Sequence, residues 1–522
     1  MYVDAANSII AVDRFIQSTR DSGYKNTASA IAELVDNALQ AGATAIGIRI
    51  AVRDERMAFP ISIAVADNGC GMSASLLRQA LRFGGSSRFN DRAGLGRYGM
   101  GLPNASLSQA RKVTVYSWQR KSGTHSTYLD VEEIACSQMT EVPEPRKADV
   151  PDWVQVERGD SGTAVVWESC DRLDHRRIST VERKIARSLG QTFRYFIWKG
   201  TKIVVNGMPV KAFDPLFLRR DSAVHGAALF QEPLNIEVYR DTANPKLGAG
   251  MVTVTFAELP VAEWHELSNE EKRRLGISNG AGVSVVRGAR EIDFGWFFMG
   301  SKRRENYDDW WRCEIKFDPI LDEAFGITHT KQQVRPREHL VDALQNHVEA
   351  AAKALNARIR QAHVHVKAGK AAAGAEAIAE SRESRLRPIP RHSVLARDRN
   401  RIAELGRRNT VVRVLQKRPD GGRVQYRLVE DDGRGAVFFH PVLGNNVVLG
   451  VLNPKHRFFR NLYQPLVEQD QGIDVGVARA VQLLLLSAAR AEAMFTKTEE
   501  HAAVERFRRE WSEVLDVLLT AR

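Results

Sequence analysis

At 522 residues, 43% hydrophobic and 8% aromatic, the chain holds enough material for three or four globular domains. Its 75 Lys and Arg against 63 Asp and Glu leave a formal charge of +12, which suits an anionic partner such as a nucleotide, an acidic protein or DNA. Four scattered cysteines, Cys70, Cys136, Cys170 and Cys313, form no C-x-x-C pair, which excludes a disulfide framework and the usual zinc finger and fits a reducing cytoplasm.

The opening MYVDAANSIIAVDRF has an early acid and no sustained apolar core, so it does not read as a signal peptide. Residues 27–41, TASAIAELVDNALQA, place Ile31, Leu34, Val35 and Ala38 at helical spacing, and Gly42 stops the helix. Two strand-like runs, AIGIRIAV and ISIAVAD, precede a Gly-rich polar stretch over 84–101. A second helix starts near Leu102, and β-branched runs (KVTVYSW, GTAVVWES) continue to about Cys170. Helix, then sheet, with mixed connections predicts an α+β sandwich domain over 1–175.

Over 176–366, an amphipathic helix (VERKIARSLGQTFRYF), an Asn206-Gly207 turn and further strands (LNIEVYR, GMVTVTFAEL, GVSVVRGAREID) predict a second α/β domain, closed by a helix over 338–366. Residues 367–395 are rich in Ala, Gly, Ser and Arg around Pro388 and Pro390, a linker composition. Strand-like VQYRLVED, GAVFFHPVLG and NVVLGVLN, then two helices, predict a smaller C-terminal α/β domain over 396–522. The longest apolar run, 481–489, is too short to span a bilayer, so a cytoplasmic protein without membrane partners is expected.

Chemistry is first narrowed by elimination. There is no G-x-x-x-x-G-K-[ST] loop. Gly94-Leu95-Gly96-Arg97-Tyr98-Gly99 fits the dinucleotide fingerprint, but polar GGSSRFNDRA stands where a strand is needed. His265-Glu266 lacks the second His of a metalloprotease, and His363 with His365 has no third ligand nearby.

Three short motifs remain. In IAELVDNALQAGA, Glu33 and Asn37 are four apart and share a helix face. A carboxylate there suits a general base and a carboxamide oxygen suits Mg²⁺, though such a pair alone is also an ordinary solvated face. In VADNGCGM, Asp67 ends an apolar strand, and an acceptor-only carboxylate there suits the exocyclic amine of adenine. Gly69 and Gly71 would let the chain pass close to the base. Gly96-Arg97-Tyr98-Gly99-Met100-Gly101 opens a helix, where main-chain N–H groups suit phosphates. Ser161-Gly162-Thr163 places small hydroxyls at the start of another strand.

In this order the motifs resemble the GHKL ATPases, the superfamily of gyrase B, the ninety-kilodalton heat-shock chaperone, histidine kinases and MutL. AELVDNALQAGA, VADNGCGM, LRFGGSSR, GRYGMGL and GTAVVW look closest to MORC-type ATPases. The resemblance implies a Bergerat-type α/β sandwich that binds ATP and Mg²⁺. In it Glu33 would be the base, Asn37 the metal ligand and Asp67 the adenine reader. Gly69, Gly71 and Met72 would shape the pocket, and Thr163 would complete the base site. Gly96, Gly99, Met100, Gly101 and Leu102 would take the phosphates, and residues 72–95 would be a mobile lid. RGAREID followed by WWRCEIKFDPILDEAFGITHTKQQVRP resembles the transducer domain of gyrase B, MutL and MORC proteins, which makes Lys331 the loop lysine for the γ-phosphate.

The resemblance further implies a homodimer formed on ATP binding, with DNA the first-choice client and operon-encoded proteins as further partners. A role in defence against foreign DNA follows from the MORC likeness. The rivals are a chaperone-like clamp on proteins and an ATP-sensing scaffold without turnover. The Arg-rich stretch 382–408 reads as a charged linker before a DNA contact, and the aromatics of FFHPVLGNNVVLGVLNPKHRFFRNLYQPL read as core before base stacking.

Overall fold

The computed structural model describes residues 11–520, apart from 22, 54, 57, 86–99, 121, 155–158, 223, 279, 328–332, 391–395, 409–411, 413–423, 432–435, 445, 469–473 and 496. The chain divides into two compact units. The first reaches to Pro260 and takes in Leu267–Asn356, and the second comprises Val261–Glu266 and the chain from Ala357 on.

The first unit contains an eight-stranded sheet: β1 (Ala45–Val52), β2 (Ile61–Asp67), β3 (Lys112–Gln119), β4 (Gly123–Asp130), β5 (Arg146–Lys147), β6 (Gly162–Glu168), β7 (Lys202–Val205) and β8 (Met208–Pro209). Its spatial order is β5-β4-β3-β6-β2-β1-β7-β8, antiparallel throughout except for the β1–β7 pair. Asn206 and Gly207, between β7 and β8, both have positive φ (46° and 83°), the conformation a two-residue hairpin needs.

Period-two alternation sends Ile46, Ile48, Ile50, Ile63, Val65, Val113, Val115, Val165 and Trp167 to one face. There they share a core with α1 (Val12–Asp21), α2 (Thr27–Gln40), α3 (Ala74–Ala80), α4 (Gly101–Leu107), α5 (Val131–Ala135) and α6 (Ile178–Thr192). On the other face Ala64, Ala66, Ala164 and Val166 pack with Trp118, Val150 and Val154. Covered from both sides, β2 is buried at all seven positions and reads as a continuous apolar run.

A second sheet follows in the same unit, from β9 (Ala228–Leu229), β10 (Leu234–Tyr239), β11 (Ala249–Glu258), β12 (Val283–Arg287), β13 (Arg290–Gly295) and β14 (Trp311–Phe317). Its order is β10-β11-β14-β12-β13, with β9 on β11, so β13 is an edge. Val252, Val254, Phe256, Val283, Val285, Cys313, Ile315 and Phe317 are buried along one face. On the other face, polar groups receive α7 (Arg194–Trp198). Fully buried Arg194 donates to Glu291 (2.7 Å), Ser284 Oγ (2.8 Å) and Glu314, and the Tyr195 hydroxyl donates to Glu314 at 2.5 Å. The Arg194 guanidinium is thus paired with two carboxylates, as burial demands. The result is a mixed α+β fold with a large, mainly antiparallel sheet.

A helix over Glu338–Arg382 buries Leu340, Leu344, Val348, Ala352 and Leu355 at three- and four-residue steps. It continues past 366, so residues 367–382, whose composition suggested a linker, are helical. Ala-rich KAGKAAAGAEAIAESR explains this, because strong helix formers outweigh its two glycines. In the second unit β15 (Gln425–Glu430), β16 (Phe439–Gly444) and β17 (Val447–Leu452) form a three-stranded sheet in the order β15-β17-β16. Phe438, Phe439, Phe458, Phe459 and Tyr463 belong to its core, as expected for those aromatics. His456 is buried and fixed on both ring nitrogens: Nδ1 accepts from the Phe458 N–H (3.0 Å) and Nε2 donates to the Ser512 carbonyl (3.1 Å). Among the described residues no helix is long and apolar enough to cross a membrane.

Gly162, at the start of β6, makes a close backbone approach. A Cβ there would lie 2.2 Å from the Asp67 carbonyl oxygen and 2.4 Å from the Trp118 ring. Gly162→Ala should therefore lower stability by about 1–3 kcal/mol, read as a lower unfolding midpoint. An unchanged midpoint would contradict this packing.

Candidate nucleotide site

The site is built from the C-terminal end of β2 and the helix packed above it. α2 begins with a reciprocal cap: Asn26 Oδ1 accepts from the Ser29 N–H (2.8 Å) and Ser29 Oγ accepts from the Asn26 N–H (3.2 Å). Ile31, Leu34, Val35 and Ala38 enter the core as their spacing predicts. Glu33 and Asp36 are buried as well, at 3% and 0% exposure, and Asn37 is half-buried. This face of α2 therefore lies against protein, and is not an ordinary solvated stripe. Gly101, the first residue of α4, meets Glu33 directly: a Cβ there would lie 2.0 Å from Glu33 Oε1, so a side chain at this position would displace the Glu33 carboxylate.

Asp67 closes β2 at 7% exposure, opposite Thr163 of β6 in the sheet register. Asp67 Oδ1 accepts from the Gly69 N–H at 2.7 Å, and the Thr163 N–H also reaches the carboxylate. Two N–H groups leave acceptor capacity on a carboxylate, which has about four lone-pair sites. Burial pushes the Asp67 carboxyl up to about 6, against the downward pull of the Gly69 and Thr163 N–H groups.

The loop after Asp67 is fastened at every step. Asn68 Oδ1 accepts from the N–H groups of Thr44 (2.9 Å) and Ala45 (3.0 Å), tying the loop to the start of β1. The Ser161 hydroxyl donates to the Gly69 carbonyl (2.7 Å), and the Cys70 N–H donates to the Ala41 carbonyl at the end of α2 (3.0 Å). Gly71 has φ +64° and sits where a Cβ would be 2.2 Å from the Trp118 carbonyl oxygen, so any side chain is excluded twice over. Ser117 of β3, fully buried, accepts from the Met72 N–H (2.7 Å), donates to the Gly162 carbonyl (3.0 Å) and lies 3.1 Å from Thr163 Oγ1.

Of the residues singled out from sequence, Glu33, Asn37, Asp67, Gly69, Gly71, Met72, Met100, Gly101, Leu102 and Thr163 are described. Glu33 and Gly101 are in contact, as are Asp67, Gly69 and Thr163. Met72 and Leu102 pack against the same core. Gly96, Gly99, Lys331 and residues 86–95 of the expected lid lie outside the described residues. Sequence reasoning missed Asn68, Ser117 and Asp36 as structural members of the site. For Ser117 the signal was a hydroxyl inside the apolar run KVTVYSW.

This geometry has a counterpart among known proteins. Residues 24–163 match the model of the histidine kinase-, DNA gyrase B- and HSP90-like ATPase family. They form a GHKL-type ATPase domain. The matched span starts just before α2 and ends at Thr163, so it encloses each described residue of the site. ATP binding is the common property of such domains, and it fits a buried acceptor at a strand end walled by glycines. No curated protein matches the chain, and the MORC likeness rests on the motifs alone.

The raised Asp67 carboxyl makes stability depend on pH. A neutral Asp67 favours the fold below the ordinary carboxylate range, and that contribution is lost as pH rises through about 6. Asp67→Asn stays neutral and escapes the loss. The midpoint of the nucleotide-free variant should therefore gain on that of the parent between pH 5 and pH 7. A difference that stays constant over this interval would contradict a perturbed carboxyl.

Proposed function

We propose that the chain is a Mg²⁺-dependent ATPase in which ATP closes a lid and brings two copies together as a clamp, with DNA as the client. The observation that carries the reading is Asp67. It is a buried carboxylate with spare acceptor capacity at the end of a fully buried strand, inside a GHKL-type domain. In this reading Asp67 accepts from the adenine amine, and Gly69, Gly71 and Met72 form the wall along the base. Thr163 supports the same pocket through Ser117.

Glu33 takes a proton from the water whose oxygen attacks the γ-phosphorus, and the bond to the β–γ bridging oxygen breaks to release ADP. Its burial keeps this carboxylate out of bulk water, where a base is most effective. Gly96, Gly99, Met100, Gly101 and Leu102 offer main-chain N–H groups to the phosphates, and Lys331 adds a positive charge from the second sheet's domain. Asn37, half-buried one turn after Glu33, would hold Mg²⁺ through its carboxamide oxygen. Phosphate oxygens and water would fill the remaining positions around the ion. When bound, Mg²⁺ neutralises phosphate charge.

The positive balance of the chain and the MORC-like motifs support DNA as client, and a defence role follows from that likeness alone. Affinity for duplex should then fall steeply with salt, whereas a clamp on protein clients should show little salt dependence.

Glu33→Ala tests the core of the reading. Phosphate release should fall at least about 100-fold while ATP still binds, and light scattering should show an ATP-dependent dimer that persists. Parent-like hydrolysis would remove Glu33 as the base. A variant that stays monomeric at saturating ATP would remove the clamp.

A further inference from the structure

The start of β13 touches three parts of the nucleotide domain and its surroundings. Arg290 Nε donates to both oxygens of Asp36, at 3.1 and 3.0 Å, with both residues buried (4% and 0% exposed). Glu291 accepts from Arg194 (2.7 Å) and from Gln191 at the end of α6 (2.7 Å). Asp293 meets Lys25, just before α2, at 3.4 Å and accepts from the Val334 N–H at 3.2 Å. An edge strand of one sheet thus grips the helix that lies on the other.

Asp36 is three residues beyond Glu33, so the two side chains are neighbours on α2. Both charges act on the buried Tyr24 hydroxyl. Its pKa is raised well above the usual range by burial first, then by Glu33 and Asp36, while Arg290 opposes the shift. The guanidinium lies over the Phe193 ring, 5.8 Å from its centroid, and donates to the Glu291 carbonyl (3.0 Å), so its plane is set on two sides. A buried ion pair gains little stability over an apolar pair of similar volume, because desolvation cancels most of the attraction. Direction is what a planar fork adds.

We infer that Arg290 is a positioning residue for hydrolysis: through Asp36 it fixes the rotation of α2, and thereby the carboxylate of Glu33, from the second sheet. Asp293, three residues along the same strand, also holds the Val334 N–H. The role of Arg290 rests on reading Glu33 as the base of the proposed reaction.

The test compares the parent with Asp36→Leu/Arg290→Met, a paired apolar replacement, and with Arg290→Lys, in the full chain with Mg²⁺-ATP. Thermal midpoint, ATP dissociation constant and phosphate release are read for each. The paired replacement should keep the midpoint and keep ATP affinity within about threefold, yet lose at least about tenfold in turnover, because packing returns without orientation. Arg290→Lys keeps the charge and loses the fork, so its turnover should fall between the two. Should the paired replacement fail to fold, Arg290→Lys decides by its turnover at unchanged ATP affinity. Parent-like turnover in whichever variant folds overturns the inference, as does a loss of affinity equal to the loss of turnover. A parent without Glu33-dependent phosphate release would instead overturn the reading of the reaction, and that outcome is seen before any variant is compared.

Discussion

The nucleotide region depends on one constraint: β2 is covered on both faces, so the carboxylate at its end emerges into protein instead of water. A strand buried on one side would have left Asp67 solvated and its loop free to move. Here the alanines Ala64 and Ala66 admit a thin second layer with Trp118, while Ile63 and Val65 meet the helices. The loop from Asn68 to Met72 then has no latitude. Its anchors, Thr44, Ala41, Ser161 and Ser117, lie in or next to four different elements of the same sandwich.

Above that loop, α2 brings two further carboxylates out of water. Glu33, Asp36 and Asp67 together are a large concentration of buried negative charge for a helix and one strand end. Asp36 is answered by Arg290, and Asp67 by main-chain N–H groups that do not bring its carboxyl back to the ordinary range. Arrangements that are costly without ligand and satisfied with it are what binding sites accumulate, and stability is the usual casualty. For Asp36 the compensation comes from outside the nucleotide domain, through Arg290 of β13. This gives the second sheet a physical hold on the site.

The sequence made the local parts of this arrangement legible. Helical spacing located α2 to within a residue, the apolar run ISIAVAD located β2 and its terminal Asp67, and Asn206-Gly207 marked its hairpin. The motifs pointed to the ATPase family that residues 24–163 match. Pair signals across long separations were not legible. Asp36 and Arg290 are 254 residues apart, and nothing local marks either as the other's partner. Composition also misled over 367–382, where Ala and Gly suggest flexibility but the Ala-rich pattern sustains a helix. Glu33 and Asn37 were ambiguous for a related reason: four-residue spacing defines a face, and only tertiary packing decides what covers it.

In the proposed function, Asp67 reads adenine by accepting from its exocyclic amine. Purine riboside triphosphate keeps the sugar, phosphates and ring nitrogens but carries a hydrogen where adenine has the amine, so it isolates that one contact. Calorimetric titration of the parent with ATP and with purine riboside triphosphate, under the same Mg²⁺ and at pH 7.5, measures it directly. Loss of a charge-assisted hydrogen bond predicts that ATP binds at least about tenfold more tightly. Equal affinities would contradict the account.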